Sequence, residues 1–163
     1  MIQVALVEPE IPPNTGNVGR LCVATGSCLH LVGRLGFQID DKSLRRAGMD
    51  YWDHLKLRRH ATFADLEAFL GQAGSPGRLI CFSTKASRPY SAIRYQPGDC
   101  LVFGSEGRGL APEILARHGE HAVTLPMPGG GNGAMVRSLN LATTVAVGLY
   151  EALRQIHGWE GPG

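Results

Sequence analysis

The sequence predicts an α/β fold built on a mostly parallel sheet with helices on both faces. Three observations predict it. Short apolar runs such as Leu79–Phe82 and Cys100–Phe103 have the unbroken apolar character of parallel strands buried on both sides. Such runs alternate along the chain with helical patterns, as parallel strands joined by crossovers require. The last element is the clearest, with Leu141, Val145, Leu149 and Leu153 recurring every four residues to give one apolar stripe.

Taken in order, residues 2–7 read as the first strand. Pro9, Pro12 and Pro13 stiffen the connection that follows, and Asn14 is placed to cap a helix running to about residue 26. Residues 29–32 form the second strand, 42–47 a short helix and 54–59 an exposed strand. Thr62 caps a helix through Leu70. After the two apolar strands, residues 111–118 read as helix, 122–125 as strand, and the striped helix closes the fold. A chain of 163 residues suits one domain, placed at 1–157, with 158–163 as a flexible tail.

Composition excludes several classes. Hydrophobic residues make up 44% and charged residues 18%, the balance of a chain that folds. No apolar run reaches the roughly 18 residues of a membrane helix, and Glu8 comes too early for a secretion signal. The four cysteines form no Cys-x-x-Cys pair, so they read as reduced, buried thiols of a cytoplasmic protein. The net charge of +2 neither demands nor excludes a nucleic-acid partner. The 16 basic residues divide into 13 Arg and 3 Lys. The arginine fork suits phosphate, and GC-rich coding gives the same ratio.

Familiar nucleotide motifs are missing. There is no P-loop, and the turn after the first strand holds Glu8-Pro9-Glu10-Ile11-Pro12-Pro13 where a dinucleotide fold needs glycines. His118 and His121 lack a third metal ligand, and Ser138 lacks a His/Asp partner, so neither metal chemistry nor a hydrolase triad is expected. The glycines gather late. Gly104-Ser105-Glu106-Gly107-Arg108-Gly109 and Gly129-Gly130-Gly131-Asn132-Gly133 each follow a strand, on the edge where open α/β sheets bind ligands. In Asn14-Thr15-Gly16-Asn17-Val18-Gly19-Arg20, Gly16 and Arg20 share a helix face. A bare backbone at Gly16 would leave an open floor for a phosphate or ribose beside Arg20; a close helix–sheet contact with Arg20 in a structural salt bridge is the competing reading. Lys42, Arg45, Arg46, Lys56, Arg58 and Arg59 surround Tyr51 and Trp52, an interleaving that serves single-stranded RNA or a plain solvated surface.

Together these segments resemble one family. The residues that carry the resemblance are Pro9-Glu10-Ile11-Pro12-Pro13-Asn14-Thr15-Gly16-Asn17 with Arg20-Leu21-Cys22, then Leu44-Arg45-Arg46-Ala47-Gly48-Met49-Asp50-Tyr51, then Phe103-Gly104-Ser105-Glu106-Gly107-Arg108-Gly109-Leu110. Leu125-Pro126-Met127, Ser138-Leu139-Asn140-Leu141 and Tyr150-Glu151-Ala152 complete it, in order over nearly the whole chain. They resemble the SPOUT class of RNA methyltransferases, within it the 2′-O-methyltransferases of the tRNA wobble nucleotide, cytidine or uridine 34. The segment 128–137 is longer than in the family.

The resemblance implies a C-terminal deep trefoil knot, which physical rules on chain topology would not propose. It implies a homodimer using S-adenosylmethionine, with S-adenosylhomocysteine as product and the tRNA anticodon loop as partner, and no metal or membrane. By motif position, Phe82, Gly104, Leu125, Met127, Ser138 and Leu139 would line the cofactor. Arg20 would act on the ribose 2′-hydroxyl, with Asn14, Glu106 and Asn140 positioning it or the nucleotide. Arg45, Arg46, Tyr51 and Arg137 would contact RNA. The wider class often assigns the base to such an arginine, but a guanidinium of pKa above about 12 resists deprotonation, and a phosphate oxygen or water serves equally. Action on another RNA site, or RNA binding without catalysis, are the alternatives.

Overall fold

The computed structural model describes residues 1–39, 50–72, 77–130 and 135–160. Six strands form one sheet: β1 (Gln3–Val7), β2 (Cys28–Val32), β3 (Lys56–His60), β4 (Leu79–Phe82), β5 (Cys100–Phe103) and β6 (Ala122–Val123). Their order is β3-β2-β1-β5-β4-β6, and every pairing is parallel. Four α-helices cover it among the described residues: α1 (Pro12–Thr25), α2 (Phe63–Gln72), α3 (Pro112–His118) and α4 (Leu141–His157). The predicted α/β class and parallel sheet are therefore present.

The alternation of side chains along each strand divides the core in two. On one face Val4, Leu6, Leu29, Leu31, Leu101 and Phe103 pack with Val18 and Cys22 of α1 and with Val145 and Leu149 of α4. On the other, Ala5, Val32, Cys81 and Val102 pack with Leu66 and Leu70 of α2 and Ile114 of α3. β2, β4 and β5 are buried along their whole length, which explains the unbroken apolar sequence of β4 and β5. The chain builds outward from β1 to β3, then crosses to the far side of β1. The carboxyl ends of β1 and β5 thus flank the switch point where open parallel sheets bind ligands.

Element boundaries differ from expectation in three places. Helix α1 begins at Pro12, with Ile11 as its cap residue, so Asn14 sits inside the first turn and does not cap it. The two prolines fit there because the first helical positions need no N–H partner. Residues 54–55 leave the expected strand because Trp52–His54 closes a 3₁₀ turn, and β3 starts at Lys56. β6 holds only two residues, and its pairing ends in an isolated Pro89–Thr124 bridge. The helix expected at 42–47 lies outside the described residues. At the other end Gly158 closes α4 in the left-handed conformation, and Trp159 stacks on His157 with ring centroids 5.2 Å apart.

All four cysteines are free and buried, as the sequence implied. Burial pushes the Cys22 and Cys81 thiols up to about 12, so they remain protonated. The polar exception in the sheet is His30, completely buried in β2. Its Nε2 lies 2.8 Å from Gln3 Oε1, which only accepts, so Nε2 carries the proton. Its Nδ1 lies 2.9 Å from His60 Nε2 and accepts from it. Both ring nitrogens are satisfied only while His30 is neutral, and burial, with His60 and Arg58 nearby, pushes its pKa down to about 4.

That depression predicts an acid-sensitive fold. The folded pKa lies below the unfolded one, so the full contribution is present above about pH 6.5 and declines as pH falls toward 4. The loss amounts to about 3 kcal/mol, at roughly 1.4 kcal/mol for each tenfold difference in proton affinity. Urea midpoints measured from pH 7 to pH 4 should fall steeply, and His30→Gln should flatten that slope. An equally steep slope in the variant would assign the acid sensitivity elsewhere.

Candidate functional site

The site is built on the strand ends. Phe82 pairs in register with both Phe103 and Val123, so β4, β5 and β6 end at one level and their following bends open on one edge. The bend after β5 doubles back sharply. Gly109 N–H donates to the Ser105 carbonyl at 2.9 Å, and Gly109 is left-handed with φ 68°. Gly104 faces that return: a Cβ on it would lie 2.0 Å from the Gly109 carbonyl carbon. Only glycine fits there.

The bend carries Glu106 to the start of α1, which has no side-chain cap of its own. Glu106 Oε2 accepts from the Glu10 N–H at 2.7 Å, and Oε1 accepts from the Ile11 N–H at 3.1 Å and from Asn14 Nδ2 at 3.3 Å. A carboxylate suits the positive end of a helix. Asn14 Oδ1 in turn accepts from Asn140 Nδ2 at 3.0 Å. Asn140 caps α4, its Oδ1 accepting from the Thr143 N–H at 3.2 Å. The three residues expected to position the reacting groups thus form one chain, linking the β5 bend to the first turns of α1 and α4. Glu106→Ala should therefore lower the unfolding free energy by about 1–2 kcal/mol in urea, the scale of a lost helix cap. A loss below about 0.3 kcal/mol would show the cap idle.

Arg20 projects from α1 and is exposed. It lies close enough to Tyr51 for its charge to oppose the rise that burial imposes on the phenol. The open floor expected at Gly16 is absent: Gly16 is buried, and its carbonyl accepts from the Tyr51 hydroxyl at 2.7 Å. Gly19 is filled as well, since a Cβ there would stand 2.8 Å from the Trp52 ring. Gly19 lets the 51–54 turn pack on α1; the packing is close, but it is against a turn and not the sheet, and among the described residues Arg20 makes no salt bridge. Tyr51 and Trp52, half-buried, are committed to that contact.

The other expected residues divide. Phe82 is 6% exposed; its ring stacks on Phe103 at 4.6 Å and fills the space left by Gly148 of α4. Its side chain belongs to the core, leaving its backbone for the site. Leu125 and Met127 are half-buried beyond β6, and the Gly130 N–H closes a turn on the Met127 carbonyl at 2.9 Å. Arg137, Ser138 and Leu139 are exposed just before α4. Arg45, Arg46 and residues 131–133 of the glycine-rich segment lie outside the described residues. His118 is hydrogen-bonded to Glu67 of α2 at 2.7 Å. Two features escaped the sequence reading. The helix-capping role of Asn140 was signalled by its place just before the apolar stripe. The Gly148–Phe82 contact had no sequence signal.

These bends offer backbone donors and acceptors together with two half-buried apolar side chains, Leu125 and Met127, which fit the flat base and aliphatic chain of a nucleoside sulfonium. A parallel α/β sheet with a glycine-bent ligand edge, tied through Glu106 to an arginine-bearing helix, is an architecture on which nucleotide-type ligands bind. The chain belongs to the SpoU rRNA Methylase family, whose profile matches residues 1–150. It is 49% identical over 163 residues to the tRNA (cytidine(34)-2′-O)-methyltransferase of Burkholderia pseudomallei (strain 1106a), covering 99% of each chain. A solved structure described as "Structural insights into the 2-OH methylation of C/U34 on tRNA" superposes with TM-score 0.84 and 44% identity, covering 97% of both chains. The SpoU methyltransferase AviRb of Streptomyces viridochromogenes, in complex with the cofactor AdoMet, superposes with TM-score 0.78 and 25% identity over 94% of this chain and 59% of its own. No helix among the described residues is long and apolar enough to cross a membrane.

Proposed function

We propose that this protein methylates the ribose 2′-oxygen of the wobble nucleotide, cytidine or uridine 34, of tRNA, with S-adenosylmethionine as donor. The observation that carries the reading is the Glu106–Asn14–Asn140 chain, which ties the glycine bend to the helix that bears Arg20. Near full-length similarity to enzymes of that name supports it. Residues 1–157 act as one methyltransferase domain followed by a short tail. The C-terminal part of the chain forms a deep trefoil knot.

When bound, S-adenosylmethionine supplies an electrophilic methyl carbon. Gly104, Leu125, Met127, Ser138 and Leu139, with the backbone of Phe82, hold the donor. Arg20 contacts the ribose or its adjacent phosphate and stabilises charge developing on the 2′-oxygen as its proton leaves to a phosphate oxygen or water. Asn14, Glu106 and Asn140 fix the helix start and the bend relative to each other, a positioning role. Arg45, Arg46, Arg137 and the Tyr51 turn contact the anticodon loop. A homodimer is supported by exposed apolar groups at the α1 start (Ile11), just before α4 (Leu139) and on α4 (Tyr150). Reduced thiols fit a cytoplasmic site.

The test is incubation of total tRNA with methyl-labelled donor, followed by mass spectrometry of nuclease fragments. A methyl on the ribose of nucleotide 34 supports the assignment; a methyl elsewhere moves the target. Calorimetry that detects no donor binding would leave a non-catalytic RNA-binding protein.

A further inference from the structure

A cavity of about 740 Å³ opens at the opposite edge of the sheet, at the amino ends of β1, β2 and β3. Its volume falls within the roughly 300–1,000 Å³ of small-molecule sites. Two cations line it, Lys56 and Arg58, and none of its lining residues is acidic. They lie on the same side of β3, two residues and about 6.6 Å apart along the strand. The Arg58 guanidinium is held 4.5 Å above the Phe69 ring centroid. Lys56 Nζ reaches the Met1 sulfur at 3.9 Å, a weak contact that leaves its charge available. Met1, Phe69 and Pro97 supply apolar wall.

Gln3 lies in the same cavity. The buried His30 fixes its Oε1, and so fixes which way the amide faces. Among the described residues its Nε2 makes one stretched 3.5 Å bond, to the Gly98 carbonyl. The His60–His30–Gln3 chain, unused by methyl transfer, therefore presents an oriented donor beside two cations.

We propose that this cavity is a second ligand site that takes a nucleoside monophosphate unit, free or displayed by an RNA strand. Lys56 and Arg58 hold the phosphate. Gln3 Nε2 donates to an acceptor on the sugar or base, and the ring lies against the apolar wall.

The probe is cytidine 5′-monophosphate, titrated into the full chain with saturating S-adenosylhomocysteine and followed by backbone amide shifts. Saturable shifts at Gln3, Leu57 and Gly98 are expected. The double variant Lys56→Gln/Arg58→Gln should weaken the affinity at least tenfold, Arg58→Lys, which keeps the charge but not the fork, should weaken it less than Arg58→Gln, and Arg20→Ala should leave it unchanged. Both replaced side chains are exposed, so an unchanged amide spectrum elsewhere checks the fold. A parallel loss of tRNA affinity in the double variant assigns the unit to an RNA strand; unchanged tRNA affinity assigns it to a free nucleotide. Shifts confined to residues 104–109 and 124–130, absence of saturation, full affinity in the double variant, or inorganic phosphate binding as well as the nucleotide would each overturn the proposal.

Discussion

Replacing Arg20 with alanine should lower kcat for tRNA methylation by about 10²–10³-fold, the scale of losing one donor that stabilises developing oxyanion charge. The thermal midpoint should stay close to wild type, because the side chain is exposed. Donor affinity, read by calorimetry, should also hold, since the Glu106–Asn14–Asn140 chain that fixes the bend does not pass through Arg20. A loss in kcat with unchanged donor binding separates a role in the reaction from a role in folding. Arg20→Lys refines the test. It keeps the charge but not the planar fork, so an electrostatic role predicts recovery of part of the lost rate. Methylation by Arg20→Ala at near wild-type rate would remove Arg20 from the mechanism.

What the sequence made legible was periodic or local. The unbroken apolar runs at Leu79–Phe82 and Cys100–Phe103 are buried strands, and the stripe Leu141, Val145, Leu149 and Leu153 is the buried face of α4. Hydrophobic burial acts residue by residue, so its period survives in the sequence. The misreadings share another cause. Asn14 looked like a cap because it follows two prolines, but the capping group comes from Glu106, 95 positions beyond the cap residue Ile11. No local pattern records such a partner. Gly16 and Gly19 were recognised as unusual, yet what packs on them, the Tyr51 hydroxyl at the Gly16 carbonyl and the Trp52 ring at the bare Gly19 carbon, arrives from beyond β2. Motif resemblance singled out Asn14, Glu106 and Asn140 but not their hydrogen bonding to one another, which depends on where three separate elements end.

Gly104→Ala should be among the most damaging single-methyl changes in the chain. The added carbon would lie 2.0 Å from the Gly109 carbonyl carbon and 2.2 Å from the Leu110 nitrogen, both main-chain atoms of the return strand of the bend. A flexible side chain could turn aside; this backbone is tied by the Ser105–Gly109 pairing and cannot. The bend must therefore open, carrying Glu106 away from the Glu10 and Ile11 amides. The expected cost is about 3 kcal/mol or more, from overpacking together with loss of the helix cap. Donor affinity should fall at least tenfold. Two controls isolate the cause. Gly109→Ala meets no atom within 4 Å but must hold φ at +68°, so it should cost only about 1–2 kcal/mol. Gly129→Ala has neither obstacle and should be close to neutral. Urea unfolding of the three variants should rank them in that order. If Gly104→Ala unfolds with Gly129→Ala, the bend is looser than its geometry implies, and its place as the rigid floor of the donor site falls with it.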